Sequence, residues 1–381
     1  MTDPAGAAAR GGNGIRPRRP IDWDRAAPRV VGAGVGLLSL VYYWRWGLDF
    51  ATYWRAGRRF LAGAPLYPAS DGLLIYRYSP GATVLFAPFA PLPLWLARAL
   101  WYALLVAVVV WVARTLVART PGPRAGLVVL LAFLGASRPF FEEIFCGHVN
   151  IVILGLLLAA MVAEDRGQQV RAGLLVAFAG GLKLGPFLLA ADFLLRRRWR
   201  ALLGVAAGAA ALALLPIATY GLAGTVRVHE EWIQSLRTDS NMLILSYMNQ
   251  GLVSMVARAG LPRWLGYAAA AAAIAWALAS RFPEPRRSLL LFCLGTAAPV
   301  GWLWNFVCAV PALALVVRSG RWQARAVAAY GILTFIPIYD IVGPRIEQWV
   351  WRSSLPGIGL LAFFVLAARA RPPDRGDPRR A

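Results

Sequence analysis

Four stretches of this chain, residues 127–134, 151–162, 201–217 and 268–279, run without a single charged side chain. A helix needs ~20 mostly apolar residues to cross a bilayer, and in lipid every backbone polar group must pair within its own segment. Repeated apolar blocks separated by short basic or Pro/Gly-rich breaks therefore point to transmembrane helices. Composition supports this: 59% of the 381 residues are hydrophobic and 15% charged, more apolar surface than one soluble core can hide. The expected fold class is all-α, a polytopic transmembrane helical bundle.

The net charge of +22 would suggest nucleic acid in a soluble protein. Here the arginines cluster at the ends of apolar blocks, as in Arg16–Arg18–Arg19, Arg196–Arg197–Arg198–Arg200 and Arg286–Arg287. That is the positive-inside pattern, and no nucleic-acid motif accompanies it, so the bilayer and not nucleic acid is the expected partner. Spans are expected near 30–46, 79–92, 94–117, 125–141, 149–162, 172–195, 201–220, 264–280, 288–300, 302–317, 324–342 and 355–368. Both tails are basic, which places both termini in the cytoplasm and requires an even number of crossings; about twelve satisfies this. Residues 182–186 (Leu-Lys-Leu-Gly-Pro) interrupt one block and are expected to split its helix. If they do, 79–117 crosses once and the parity is unchanged. In domain terms, 1–28 is expected to be a disordered cytoplasmic tail, 29–369 one membrane domain and 370–381 a second basic tail. Tyr42, Tyr43, Trp44, Arg45 and Trp46 close the first block as an interfacial belt, unlike the small-residue end of a cleaved leader.

Two outside segments are more than turns. Residues 47–78 set Phe50, Trp54, Phe60 and Leu61 among Arg55, Arg58 and Arg59, an amphipathic pattern suited to a helix on the membrane surface. Residues 221–250 carry His229, Glu230, Glu231, Trp232 and Asn241. Long structured loops on one face suggest a site that handles a substrate there.

Asp49 stands at the outer end of the first span. It reads either as the N-cap of the amphipathic helix or as a general base at the membrane surface, beside solvent and within reach of a hydroxyl. Lys183 is the sole lysine and sits inside an apolar run. It either snorkels to an interface or meets an anion such as a lipid phosphate, helped by backbone groups freed at Gly185–Pro186. Glu142, Glu143, His148 and Asn150 flank Gly147 where two spans meet, and polar helix–helix bonding fits them better than a metal, whose usual ligand spacings are missing. Arg77 and Tyr78 form an interfacial anchor before Ser79–Pro80, and Asn249–Gln250 could bind sugar hydroxyls or form a turn. Cys146, Cys293 and Cys308 lack paired spacing and read as packing residues. No cofactor is expected; assistance by a divalent metal is left open, without a ligand cluster that demands one.

Taken in order, Asp49 with Tyr53, Gly63–Ala64–Pro65–Leu66–Tyr67, Tyr78–Ser79–Pro80, Gly147–His148–Val149–Asn150, Lys183 with Pro186, and Arg197–Arg198–Trp199–Arg200 resemble glycosyltransferase family 87. This family of membrane mannosyltransferases belongs to the GT-C superfamily. The resemblance is good from about residue 30 to 200 and looser beyond. It implies a GT-C fold and an inverting transfer of a hexose, by default mannose, from a polyprenyl-phosphate-sugar donor to an acceptor hydroxyl on the extracytoplasmic face of the cell membrane. The acceptor is left open among glycolipid, glycan and protein. The resemblance assigns Asp49 as the base and Lys183 to the donor phosphate. Tyr53, Arg55, Arg77, Tyr78, His148, Asn150, Asn249 and Gln250 are the further substrate-binding candidates.

Two departures stand out. His148 occupies the glutamine position of the family's Gly-Gln-x-Asn, and Trp304–Asn305 stand where relatives carry histidines after a tryptophan. The competing readings are a transporter or flippase of a lipid-linked sugar, to which a broken span and a buried lysine also suit, and a non-catalytic scaffold.

Overall fold

The computed structural model describes residues 21–42, 47–237, 240–336 and 339–370. The expected tails at 1–20 and 371–381, and the belt residues 43–46, lie outside the described residues. Within these limits the chain holds eighteen α-helices and no strand; one antiparallel bridge joins Asn249 to Trp302.

The helices are α1 (Trp23–Tyr42), α2 (Leu48–Leu61), α3 (Leu94–Arg119), α4 (Ala125–Gly135), α5 (Ser137–Cys146), α6 (Asn150–Asp165), α7 (Gln169–Leu182), α8 (Leu188–Leu195) and α9 (Trp199–Leu214). There follow α10 (Ile217–Arg237), α11 (Ser240–Leu245), α12 (Leu252–Arg258), α13 (Arg263–Ala279), α14 (Pro283–Thr296), α15 (Val310–Ser319), α16 (Arg321–Phe335), α17 (Tyr339–Arg352) and α18 (Leu355–Arg369). Helix α1 begins inside the stretch expected to be a free tail. Asp24 holds it there, its carboxylate accepting from the Gly126 amide at 2.7 Å where α4 starts.

Among the described residues, α3 alone is long and apolar enough to cross a bilayer unbroken. The pairs α4–α5, α9–α10 and residues 341–352 with α18 reach that length only across bends of 62°, 90° and 50°. The break expected at 182–186 is present: α7 stops at Leu182, a 3-10 turn covers Gly185–Phe187, and α8 follows. Residues 79–92 do not form the expected span. They fold as 3-10 turns, Pro80–Leu85 and Ala87–Phe89. Pro80, Pro88, Pro91 and Pro93 each lack the N–H a continuous helix needs. The amphipathic helix expected in the first outside loop is α2, which buries Phe50, Tyr53 and Phe60.

Close packing rests on small residues. Helices α7 and α9 approach until a methyl group on Gly173 would lie 2.0 Å from the Ala201 carbonyl oxygen, the small-residue contact that replaces hydrophobic driving force between helices in lipid. Leu203 and Leu214 of α9, Trp264 of α13, and Trp322 and Leu333 of α16 stay exposed, as a lipid-facing surface requires.

A buried ionic cluster ties one end of the bundle together. Glu164 accepts from Arg196, Arg198 and Arg287, and Asp192 from Arg196 and Arg286. Asp165 pairs with Arg287 and with Arg119 at the end of α3. Thus the basic turn after α8 and the first turns of α14 meet at one place. Arg119 lies 18 residues along α3 from Trp101, which braces the Gly147 turn beside the site described next, a rise of ~27 Å and close to the thickness of a bilayer core.

Candidate active site

The turn that carries Asp49 is built by two glycines. Gly47 precedes α2 at φ 82°, and Gly147 ends α5 at φ 74°, both left-handed conformations that cost any other residue strain. The two turns abut: the Gly47 amide donates to the Phe145 carbonyl at 3.2 Å. Helix α3 braces them from behind, Trp101 Nε1 donating to Gly147 O at 3.0 Å and Tyr102 OH to Ile144 O at 2.7 Å. Phe50 stacks on Trp101 with ring centres 5.3 Å apart. The N-cap of α2 is Gly47, without a side-chain cap, so Asp49 does not play the capping part open to it in the sequence. Its carboxylate, about one-third exposed, meets His148 Nδ1 instead.

Asp49 and His148 line a cavity of about 1090 Å³. Lys183 lines it as well, placed there because α7 stops one residue earlier and its backbone turns extended. Its ammonium donates to Asn150 Oδ1 and Asn305 Oδ1, each at 2.8 Å. Behind Asn150 lies the fully buried Glu143, accepting from Asn150 Nδ2 at 2.7 Å and from the Ile151 amide at 2.9 Å. One carboxylate, two amides and one ammonium therefore form a continuous chain, and the ammonium has a third proton for a ligand.

Among the remaining sequence candidates, Tyr53, Arg77 and Tyr78 also line the cavity. The Tyr53 and Tyr78 hydroxyls share a hydrogen bond of 2.8 Å, and Arg77 donates to Ser235 O at 3.2 Å. Arg55 lies away from the wall, donating to Thr52 Oγ1 at 3.2 Å. Asn249 and Gln250 are buried and spent on backbone. Asn249 donates to Leu243 O and Pro299 O, and Gln250 donates to Tyr247 O and Trp351 O. Among the described residues, no three His, Cys, Asp or Glu side chains converge as metal ligands.

The cavity also takes wall residues that no motif singled out: Cys146, Tyr247, Trp302 and Arg352, together with Trp232 of α10. Trp304 and Asn305, marked in the sequence as departures from a motif, both stand on the wall. No spacing rule joins these residues, because they come from separate turns that only the packed bundle brings together.

Among the described residues, a helical bundle with an apolar surface and a largely apolar cavity that carries a carboxylate, an imidazole and an ammonium defines a membrane protein built for chemistry on a partly polar substrate. The chain belongs to glycosyltransferase family 87, whose profile matches residues 76–336, and it is a glycosyltransferase. It is 30% identical over 364 residues to the polyprenol-phosphate-mannose-dependent alpha-(1-2)-phosphatidylinositol mannoside mannosyltransferase of Mycolicibacterium smegmatis, covering 81% of this chain and 79% of that one. The protein of the same description from Mycobacterium tuberculosis is 28% identical, with 83% and 82% covered. A phosphatidylinositol pentamannoside mannosyltransferase of Mycolicibacterium smegmatis is 25% identical, with 77% and 70% covered. No solved structure matches the chain. Family membership sets aside the transporter and scaffold readings.

Proposed function

We propose that the protein transfers mannose from a polyprenyl-phosphate-mannose donor to a hydroxyl of a mannosylated, phosphate-bearing glycolipid, with inversion at the anomeric carbon. The observation that carries this is that Asp49 and Lys183 line the same cavity, in a chain whose relatives are named for that donor and for phosphatidylinositol mannoside acceptors.

The donor phosphate sits against the Lys183 ammonium, with Arg77 on the same wall, and its prenyl tail runs into lipid. Asp49 accepts the proton of the acceptor hydroxyl as that oxygen attacks the anomeric carbon. The new carbon–oxygen bond forms as the bond to the phosphate oxygen breaks, and polyprenyl phosphate leaves with the electron pair. Two preorganised cations stabilise the charge that grows on the leaving group. Tyr247, Trp232 and Trp302 offer flat faces for sugar rings, and Arg352 a cation for the acceptor's phosphate.

The reaction takes place on the extracytoplasmic side of the cell membrane, in a GT-C bundle with both termini cytoplasmic. Two observations support that placement. The arginine cluster around Glu164 and Asp192 marks one face as the basic one, and α3 sets the Asp49 cavity about a bilayer's thickness away from it.

The test is transfer of labelled mannose from polyprenyl-phosphate-mannose to a membrane lipid extract by the purified protein, with Asp49→Asn alongside. Transfer by the parent and a loss of 100-fold or more, on the order of a general base's contribution, is expected for Asp49→Asn. Full activity in that variant removes Asp49 as the base, and absence of transfer by the parent removes the donor.

A further inference from the structure

The contact between Asp49 and His148 has no part in the transfer steps above, yet the fold is arranged to make it. Gly147 reverses the chain at the end of α5, and the His148 amide donates to Glu143 O at 3.0 Å, which fixes the backbone from which the imidazole projects. The side chain is buried, and its Nδ1 meets Asp49 Oδ2. An ionised carboxylate offers acceptors only, so Nδ1 carries a proton. Among the described residues the other ring nitrogen, Nε2, is buried with no hydrogen-bond partner, so Asp49 is the polar side chain the imidazole meets there.

The ring plane is set by packing. His148 stacks on Trp304 with centroids 4.2 Å apart and 25° between planes, and Trp304 stacks on Trp302 at 4.9 Å and 17°. Three rings in a row, with the last anchored by the bridge from Trp302 to Asn249, hold the direction of the Nδ1–H vector. A carboxylate free to spin about its Cβ–Cγ bond would present its oxygens to an incoming hydroxyl in many orientations. With Oδ2 tied, Oδ1 is the oxygen left for the acceptor.

We infer that His148 is a positioning residue, whose Nδ1–H orients the Asp49 carboxylate and whose own orientation is set by the Trp304–Trp302 stack. The inference rests on the reading of Asp49 as the base. It accounts for a histidine, two tryptophans and an orphaned ring nitrogen meeting beside a single carboxylate.

Two substitutions separate the donor from the ring. His148→Asn keeps an N–H near the Nδ1 position and loses the stack; His148→Phe keeps the stack and loses the N–H. His148→Phe is expected to lower kcat about 100-fold, the order of loss that follows misplacement of a reacting group, with the KM values for donor and acceptor nearly unchanged. His148→Asn is expected to recover at least about tenfold of that loss. Parent-like kcat in His148→Phe overturns the inference, and so does His148→Asn as slow as His148→Phe. The parent and Asp49→Asn, run in the same assay, judge the base reading separately. An inactive Asp49→Asn beside a fully active His148→Phe sinks the positioning role alone.

A second readout needs no turnover. The chain has two histidines, so 15N-histidine spectra of the full chain in bilayers, assigned with His229→Gln, report His148 directly. A protonated Nδ1 whose signal moves in Asp49→Ala is expected. An unprotonated Nδ1, or one indifferent to Asp49→Ala, overturns the inference whatever the transfer assay shows.

Discussion

Replacing Lys183 separates two tasks that one ammonium performs. In the folded protein it donates to Asn150 Oδ1 and Asn305 Oδ1, both at 2.8 Å, and bridges α6 to the turn before α15. Hydrogen bonds to a charged group contribute about 1.5–3 kcal/mol each, which gives about 3–6 kcal/mol for the pair. The side chain is partly exposed to the cavity, so the lower end, about 3 kcal/mol, is the expected cost of Lys183→Met. Lys183→Gln should cost only about 1 kcal/mol, because its amide has two N–H groups for the same two acceptors. The glutamine nevertheless has no charge to set against a phosphate. Losing one charge-assisted contact there, again about 1.5–3 kcal/mol, predicts a rise of about 10- to 100-fold in donor KM or an equal fall in kcat/KM. Acceptor KM should stay the same. Thermal unfolding in detergent reads the first effect, and transfer kinetics with each substrate varied in turn read the second. A Lys183→Met protein as stable as the parent would refute the structural network. Unchanged donor KM and kcat in Lys183→Gln would remove Lys183 from the donor site.

Two further outcomes follow from the turns and loops around the site. The Arg59 guanidinium donates two hydrogen bonds to Asp71, at 2.5 and 3.0 Å, and holds its carboxyl below the usual carboxylate range. That contribution is complete above the unfolded value near pH 4 and is lost as the pH falls through the lowered folded value. The stability gap between parent and Asp71→Asn, at most about 1 kcal/mol near neutrality, should therefore close in acid and stay constant above about pH 5. A gap that widened in acid would contradict the pairing. Gly147→Ala places a methyl group in a left-handed turn, 3.2 Å from Phe50 Cβ, and should cost about 1–3 kcal/mol and lower kcat through its neighbour His148. Parent-like unfolding and turnover would show that the turn tolerates a side chain.

Helix content, a surface suited to lipid, and the break at Lys183 were legible in the chain because each is a local property. A long apolar run without charges or prolines favours a helix in a bilayer wherever it lies, and Gly185–Pro186 breaks the helix that would otherwise continue through it. The candidates Asp49, Tyr53, Arg77, Tyr78, His148, Asn150 and Lys183 come from four separate segments, and motif order alone grouped them; the fold sets all seven around one cavity. Where each helix ends was less legible. Residues 79–92 are apolar enough to span, but three prolines and tight packing against α9 turn them into 3-10 turns.

What the sequence by itself determined is the solvent this protein folds in and the kind of groups it can spend on chemistry: a chain this apolar, with one lysine and two histidines beside its many arginines, has few amines and imidazoles to place. What only the tertiary structure decided is which of them meet. Asn249 and Gln250 look as free as Asn150 in the sequence, yet the bundle spends their amides on backbone carbonyls and leaves Asn150 between Glu143 and Lys183. Asp49 could cap its helix, yet Gly47 takes that place and turns the carboxylate toward His148. The physical reason is the same in both cases. A polar side chain takes the partner that packing puts within about 3 Å, and sequence spacing fixes that distance only within one or two helical turns.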